Sequence, residues 1–130
     1  MTDEELIMQF ESGSLPAAEF HHADHVRMAF AYLGQLPLLQ ALERFSTALR
    51  RFAASQGKPH LYNETITWAY LFLIHERIAR VAEKQTWEQF AIENPDLLTW
   101  KDGVLNRYYA QETLQSELAK RVFVLPDKCA

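Results

Sequence analysis

Three of the five histidines in this 130-residue chain lie within five positions, at His21, His22 and His25. Residues three or four apart on a helix share one face, so His25 can direct its imidazole to the same point as His22 or His21. Imidazole binds zinc, iron, copper and nickel, and a metal site needs a third or fourth ligand from elsewhere in the chain. The cluster therefore predicts one transition-metal ion, with zinc or iron favoured, held by His22 and His25.

The predicted third ligand is Glu64, at the start of a helix that is apolar nearly all round in its first half. A carboxylate beside a protein core needs a partner, so we expect Glu64 to complete the metal shell or to act as a catalytic base facing the histidines. Neighbouring side chains would line a polar cavity, and the predicted substrate-binding residues are Tyr32, Asn63, Thr67 and Trp68. Each of these four also has a structural interpretation, as a helix cap, as a hydroxyl bonded to the backbone or as a packed aromatic ring.

The remaining histidines do not decide between the two functions that the sequence supports. His75 is eleven residues from Glu64, about 16 Å along the axis of the same predicted helix, so the two cannot share an ion. The roles of His21, His60 and His75 are not assigned. The sequence supports two hypotheses: a metal-binding, metal-dependent small-molecule enzyme of unknown reaction, or a non-catalytic small-molecule-binding or protein-interaction module in which the histidines are structural.

Composition and charge exclude several classes of protein. With 48% hydrophobic residues, the chain has enough apolar side chains for the core of one domain, residues 1–130. The net charge is −4, and the first 25 residues contain no lysine or arginine. An acidic domain without a long basic stripe is not expected to bind nucleic acid. The longest apolar run, residues 68–74, is far shorter than the roughly 20 residues that a membrane-spanning helix needs.

Further features of the sequence restrict the cellular location, the cofactors and the binding partners that we expect for this protein. The acidic start is unlike a positively charged leader, which predicts a cytoplasmic protein. A phosphate-binding glycine loop is absent from the sequence, so no nucleotide cofactor is expected. The single cysteine excludes an intrachain disulfide. A small-molecule ligand and a homodimer formed through the C-terminal tail are the partners that the sequence allows.

The pattern of apolar residues, caps and breakers is helical throughout. It predicts an all-α, single-domain irregular helical bundle of about five to seven helices with an extended C-terminal tail. No pair of strand patterns joined by a turn is present. The expected central and most buried element is the helix that begins at Asn63. The predicted helical segments are 2–12, 22–33, 37–57, 63–83, 86–94, 96–100, 101–109 and 111–120, and the predicted extended tail is 121–126.

Six segments together resemble a family of small, uncharacterised bacterial all-helical proteins. The resemblance covers nearly the whole chain, and it implies no activity because none is assigned to that family. The family pattern usually has histidine at the position of Asn63, and a histidine there would favour a metal site with His22 and His25. With Asn63 in that place, metal binding is weakened, the ligand role passes to Glu64 or His60, or the histidines serve another purpose. The segments are Phe20 to Arg27, Tyr62 to Tyr70, His75 to Arg77, Asn94 to Leu98, Tyr108 to Tyr109 and Phe123 to Asp127.

Overall fold

A computed structural model describes residues 2–16 and 20–128 of the chain. Within these ranges it contains seven α-helices, three short 3₁₀ turns and no strand, so the all-α irregular bundle is confirmed. The helices are α1 (Asp3–Ser12), α2 (His22–Gln35), α3 (Leu38–Ser55), α4 (Glu64–Ala79), α5 (Trp87–Glu93), α6 (Gln111–Gln115) and α7 (Glu117–Arg121). The 3₁₀ turns are Pro59–Leu61, Pro95–Leu98 and Val104–Arg107.

Local signals determine where α1 and α5 begin. The Thr2 hydroxyl accepts a hydrogen bond from the Glu5 N–H at 3.1 Å, and Gly13 ends α1 with a φ of 79°, which glycine adopts without strain. At α5, Thr86 and Gln89 form the reciprocal capping box that their spacing predicts. These ends depend on residues within one turn, so the sequence places them correctly.

Other segments differ from the prediction. The segment 101–109 is an irregular loop with one 3₁₀ turn, and Asp102 there has a φ of 53° that interrupts a helix. Ser116 divides the predicted helix 111–120 in two, because its backbone is extended and its hydroxyl caps α7 through the Ala119 N–H. Helix α4 ends at Ala79 rather than at residue 83, and residues 80–84 are exposed, so no packing supports a further turn.

Two helices share the centre of the bundle. Helix α4, the expected central element, packs against α2, α3, α7 and the Val104–Arg107 turn. Helix α2 packs against α1, α3, α4 and the Pro95–Leu98 turn. Both helices contain side chains with no exposed surface, among them Ala31, Tyr32, Leu71 and Ile74. The start of α2 is thereby placed against the Pro95–Leu98 turn, and the start of α4 lies near α3.

The C-terminal residues 122–128, here called the strap, contain no helix and continue from α7 across the surface of α4. This non-helical course agrees with the predicted tail except at Arg121, which is the last residue of α7. None of the described helices is both long enough and apolar enough to cross a membrane.

Candidate functional site

His22 connects the start of α2 to the rest of the fold, whereas His21 makes a local contact. His21 precedes the helix, and its main-chain N–H donates to Asp24 Oδ2 at 2.9 Å. The Nε2 atom of His22 lies 2.9 Å from the carbonyl oxygen of Leu97 and donates to it, since a carbonyl can only accept. The His22 ring also packs at 4.9 Å from Tyr70 and 5.1 Å from Trp100. His22 therefore ties α2 to the Pro95–Leu98 turn.

His25 is packed against an aromatic ring. Its imidazole lies 4.2 Å from the ring of Phe20, measured between centroids. Burial, together with the nearby His22, lowers the pKa of His25 to about 4, although Asp24 acts in the opposite direction. The imidazole is consequently neutral at pH 7, which is the form that packs against apolar neighbours at the lower cost.

Glu64 is engaged by its neighbours at the start of α4. The Tyr62 hydroxyl donates to Glu64 Oε1 at 2.5 Å, and Arg50 Nη2 donates to the same oxygen at 3.3 Å. The Arg50 guanidinium also lies over the Tyr62 ring, 5.0 Å from its centroid. Burial and the hydrogen bond to Glu64 raise the pKa of Tyr62. The Glu64 side chain is only 16% exposed, and these two hydrogen bonds hold its carboxylate in place.

The predicted ligands His22, His25 and Glu64 do not form a metal site in this structure. Within residues 2–16 and 20–128, no three His, Cys, Asp or Glu side chains form a group that could hold a metal ion. The side chains are instead held by different parts of the fold: His22 Nε2 donates to the Leu97 carbonyl, and Glu64 Oε1 accepts from Tyr62 and Arg50. As they are placed, the three ligands that the sequence predicts for zinc or iron do not come together around one ion.

Asn63 and Thr67 serve the start of α4. Asn63 Oδ1 accepts from the Ile66 N–H at 2.9 Å, and its Nδ2 donates to the Leu114 carbonyl at 2.7 Å. The Thr67 hydroxyl donates to the Asn63 carbonyl one turn earlier, at 2.8 Å. Both side chains therefore have the structural roles that were the alternative to substrate binding.

Tyr32 and Trp68 are packed in different parts of the molecule. Tyr32 has no exposed surface, and its hydroxyl donates to Glu11 Oε2 at 2.7 Å. Trp68 stacks on Phe123 of the strap at 5.6 Å, and its indole Nε1 is buried with no hydrogen-bond partner among the described residues. Two surface cavities, of about 140 and 380 Å³, are lined by neither residue. None of the four predicted substrate-binding residues lines either of these two cavities.

Thr65, which the sequence patterns do not single out, organises the contact between α4 and the strap. It has no exposed surface, and its hydroxyl donates to the Val122 carbonyl at 2.8 Å and accepts from the Val124 N–H at 3.0 Å. The Tyr109 hydroxyl donates to the Val124 carbonyl at 2.6 Å. One end of the strap is therefore held through its main chain.

Side chains hold the strap at two further points. The Phe123 ring lies between Trp68 and Phe72, at 5.6 and 5.7 Å between centroids. The Asp127 carboxylate accepts from the Ala110 N–H at 2.9 Å and from the Thr113 hydroxyl. The N–H groups of residues 127 and 128 both donate to the Tyr108 carbonyl, at 3.1 and 3.0 Å. We call the surface that makes these contacts the strap groove, formed by Thr65, Trp68, Phe72, Tyr108, Tyr109, Ala110 and Thr113.

A signal for this groove is present in the sequence. The tail is apolar and β-branched, which predicts an extended segment, and Thr65 is a polar residue in the largely apolar first half of its helix. Neither pattern shows that the two would meet, because they are more than fifty residues apart in the chain.

No protein-family model, curated protein or solved structure matches this chain. The resemblance to a family of bacterial helical proteins accordingly stays a prediction. A function for this chain has to be inferred from the geometry of its described residues.

Proposed function

We propose that this protein is a protein-interaction module whose strap groove binds an extended peptide, and that its histidines serve the fold. The observation that carries the proposal is the Thr65 hydroxyl, which bonds the main chain on both sides of Phe123. Main-chain hydrogen bonds to an extended segment provide affinity for many sequences, while side-chain sites provide selectivity. The strap groove has both kinds of contact, and the chain's own tail occupies it.

The strap is held by few buried side chains, which supports its replacement by another peptide. Val122 is 43% exposed and Leu125 is 74% exposed, so the apolar contacts come mainly from Phe123 and Val124. Ordering one backbone residue costs about 1–2 kcal/mol, whereas complete burial of a phenylalanine side chain recovers about 1.5–3 kcal/mol, and Phe123 is only half-buried. Side-chain burial therefore offsets only part of the cost of ordering the strap. A strap held in this way opens locally without unfolding the bundle.

Peptide binding in trans tests the proposal. A fluorescent peptide with the sequence of residues 121–128 is added to the full chain carrying Phe123→Ala, which weakens the strap and leaves the groove intact. We expect the anisotropy to rise with protein concentration, and the native chain to bind more weakly because its tethered strap competes at an effective concentration of about millimolar.

Two controls make this experiment decisive. A scrambled peptide of the same composition should not bind, and adding Thr65→Val to the Phe123→Ala chain should weaken binding of the true peptide because the main-chain clamp is lost. A second strap-weakened chain, Asp127→Ala, covers the case in which Phe123→Ala fails to fold. If neither variant binds the peptide while circular dichroism shows a retained helical fold, the proposal is wrong.

The competing hypothesis is the metal-dependent enzyme with His22, His25 and Glu64 as ligands. It requires His22, His25 and Glu64 to move together around one ion, because no such group of ligands is assembled among the described residues. We expect untagged protein to contain only substoichiometric transition metal, and zinc or iron to leave its melting temperature unchanged at about pH 7.5, where imidazoles are neutral. A stoichiometric metal that is lost in His25→Ala would instead favour the enzyme.

A further inference from the structure

We propose that the partner of the strap groove carries an aromatic residue followed four positions later by an aspartate, as Phe123 and Asp127 do in the strap itself. This inference rests on the proposed function, because it specifies which peptide that groove binds. It identifies the partner by the chemistry of the two side-chain sites and by the distance between them.

The first site binds the aromatic ring. Trp68 presents the face of its indole to Phe123, with an angle of 21° between the rings, and Phe72 meets Phe123 nearly edge to face, at 83°. Offset stacking and edge-to-face contacts are the geometries that aromatic rings prefer. An aliphatic side chain would fill part of this space without making either contact. The site therefore favours an aromatic residue.

The second site binds a carboxylate. Two donors of different origin, the Ala110 main-chain N–H and the Thr113 hydroxyl, each bind one oxygen of Asp127. These hydrogen bonds stabilise the charged form and lower the pKa of Asp127. An asparagine could accept from the Ala110 N–H and donate to the Thr113 hydroxyl, but both hydrogen bonds would then be neutral, and hydrogen bonds to a charged carboxylate are stronger. The site therefore favours an acid over its amide.

The strap groove does not select the side chains of the residues between the two sites. Leu125 is 74% exposed, and Pro126 is also exposed. Val124 is held through its main chain, by Thr65 at its N–H and by Tyr109 at its carbonyl. An extended chain advances about 3.3 Å per residue, so four positions place the Cα atoms of the two residues about 13 Å apart. The spacing is consequently a geometric requirement, because removing one residue also turns the following side chain to the opposite face.

Substituted peptides test the inference with the Phe123→Ala chain as the receptor. The parent peptide has the sequence of residues 121–128, and three altered peptides carry Phe123→Ala, Asp127→Asn or a deletion of Leu125. Loss of the ring should weaken binding about 10- to 100-fold, from the free energy of burying a phenylalanine side chain. The amide should bind several-fold more weakly, and the shortened peptide should lose most of its affinity.

A matched control is the peptide with Leu125→Ala, which should bind as tightly as the parent because that side chain makes no contact that the groove uses. If the parent peptide binds and the altered peptides bind equally well, the motif is wrong and the proposed peptide-binding function stands. If the parent peptide does not bind at all, both are wrong.

Discussion

At the residue scale, His25 shows what burial does to an ionisable side chain in this protein. Packing against Phe20 removes water from the imidazole, and the neighbouring His22 makes a second positive charge costly, so the pKa of His25 falls to about 4. In this neutral form the imidazole can pack at the start of α2 without burying a charge. It also makes the stability of the fold depend on pH.

We expect the free energy of unfolding to decrease as the pH falls from 7 to 5. In the unfolded chain His25 takes up a proton near its ordinary pKa of about 6.5, whereas in the folded chain it does so only near 4. The stabilisation is present above pH 6.5 and is lost as the pH falls towards 4, which amounts to on the order of 2 kcal/mol between pH 7 and 5. Urea unfolding at several pH values measures it.

The matched variants are His25→Phe, which should remove most of this pH dependence, and His60→Gln at an exposed position, which should not. Part of the dependence should remain in His25→Phe, because burial also lowers the pKa of His22. The carboxylates of Glu11 and Asp96 have lowered pKa values and titrate below this range. An unchanged slope in His25→Phe would contradict this account.

At the scale of elements, Asn63 joins the start of α4 to α6. The Oδ1 atom of Asn63 caps α4 by accepting from the Ile66 N–H. The Nδ2 atom of the same side chain holds the last turn of α6 by donating to the Leu114 carbonyl. The position is therefore best understood as a junction between two helices.

We expect Asn63→Ala to destabilise the protein by about 2–3 kcal/mol, because it removes a helix cap and an interhelix hydrogen bond. Thr86→Ala, which removes only the cap of the peripheral α5, should cost about 1 kcal/mol. Asn63→Asp keeps the cap acceptor and loses the donor to Leu114, so it should lie between Asn63→Ala and the native chain in chemical denaturation. If Asn63→Asp is as stable as the native chain, the contact with Leu114 contributes nothing.

At the scale of the whole molecule, burial is unevenly distributed. The centre consists of α2 and α4, which contain fully buried side chains, whereas the strap covers α4 with only one large ring packed against it. Regions with few buried apolar contacts open at lower free energy than the core. Amides of the bundle and amides of the strap should therefore exchange with different free energies in a hydrogen-exchange experiment.

Amide hydrogen exchange under native conditions provides the measurement. We expect the amides of Leu71 and Ile74 to exchange with a free energy close to that of global unfolding, and those of Val124 and Asp127 to exchange several kcal/mol more easily. Thr65→Val should lower protection of the Val124 amide further, because its acceptor is removed. If Val124 and Ile74 exchange with the same free energy, the strap opens only with the whole fold, which would also contradict the proposed binding of a peptide in its place.

The all-helical class and several helix ends can be predicted from the sequence alone. The Thr2 cap, the Gly13 stop, the capping box of α5 and the apolar stripe of α3, in which Phe45 and Leu49 are buried, all arise from residues within a few turns of one another. Contacts at this range depend on the backbone geometry of a single helix. Spacing and residue type are therefore enough to predict them.

The partners of the chemistry-bearing side chains are decided only by tertiary structure. The His22 ring meets a carbonyl 75 residues away, and the Thr65 hydroxyl meets one 57 residues away. The apolar pattern states which face of each helix is buried, but many arrangements of the same helices bury the same faces. The choice among them is made by packing across the whole chain, and this packing turns the predicted ligands His22 and Glu64 towards separate partners.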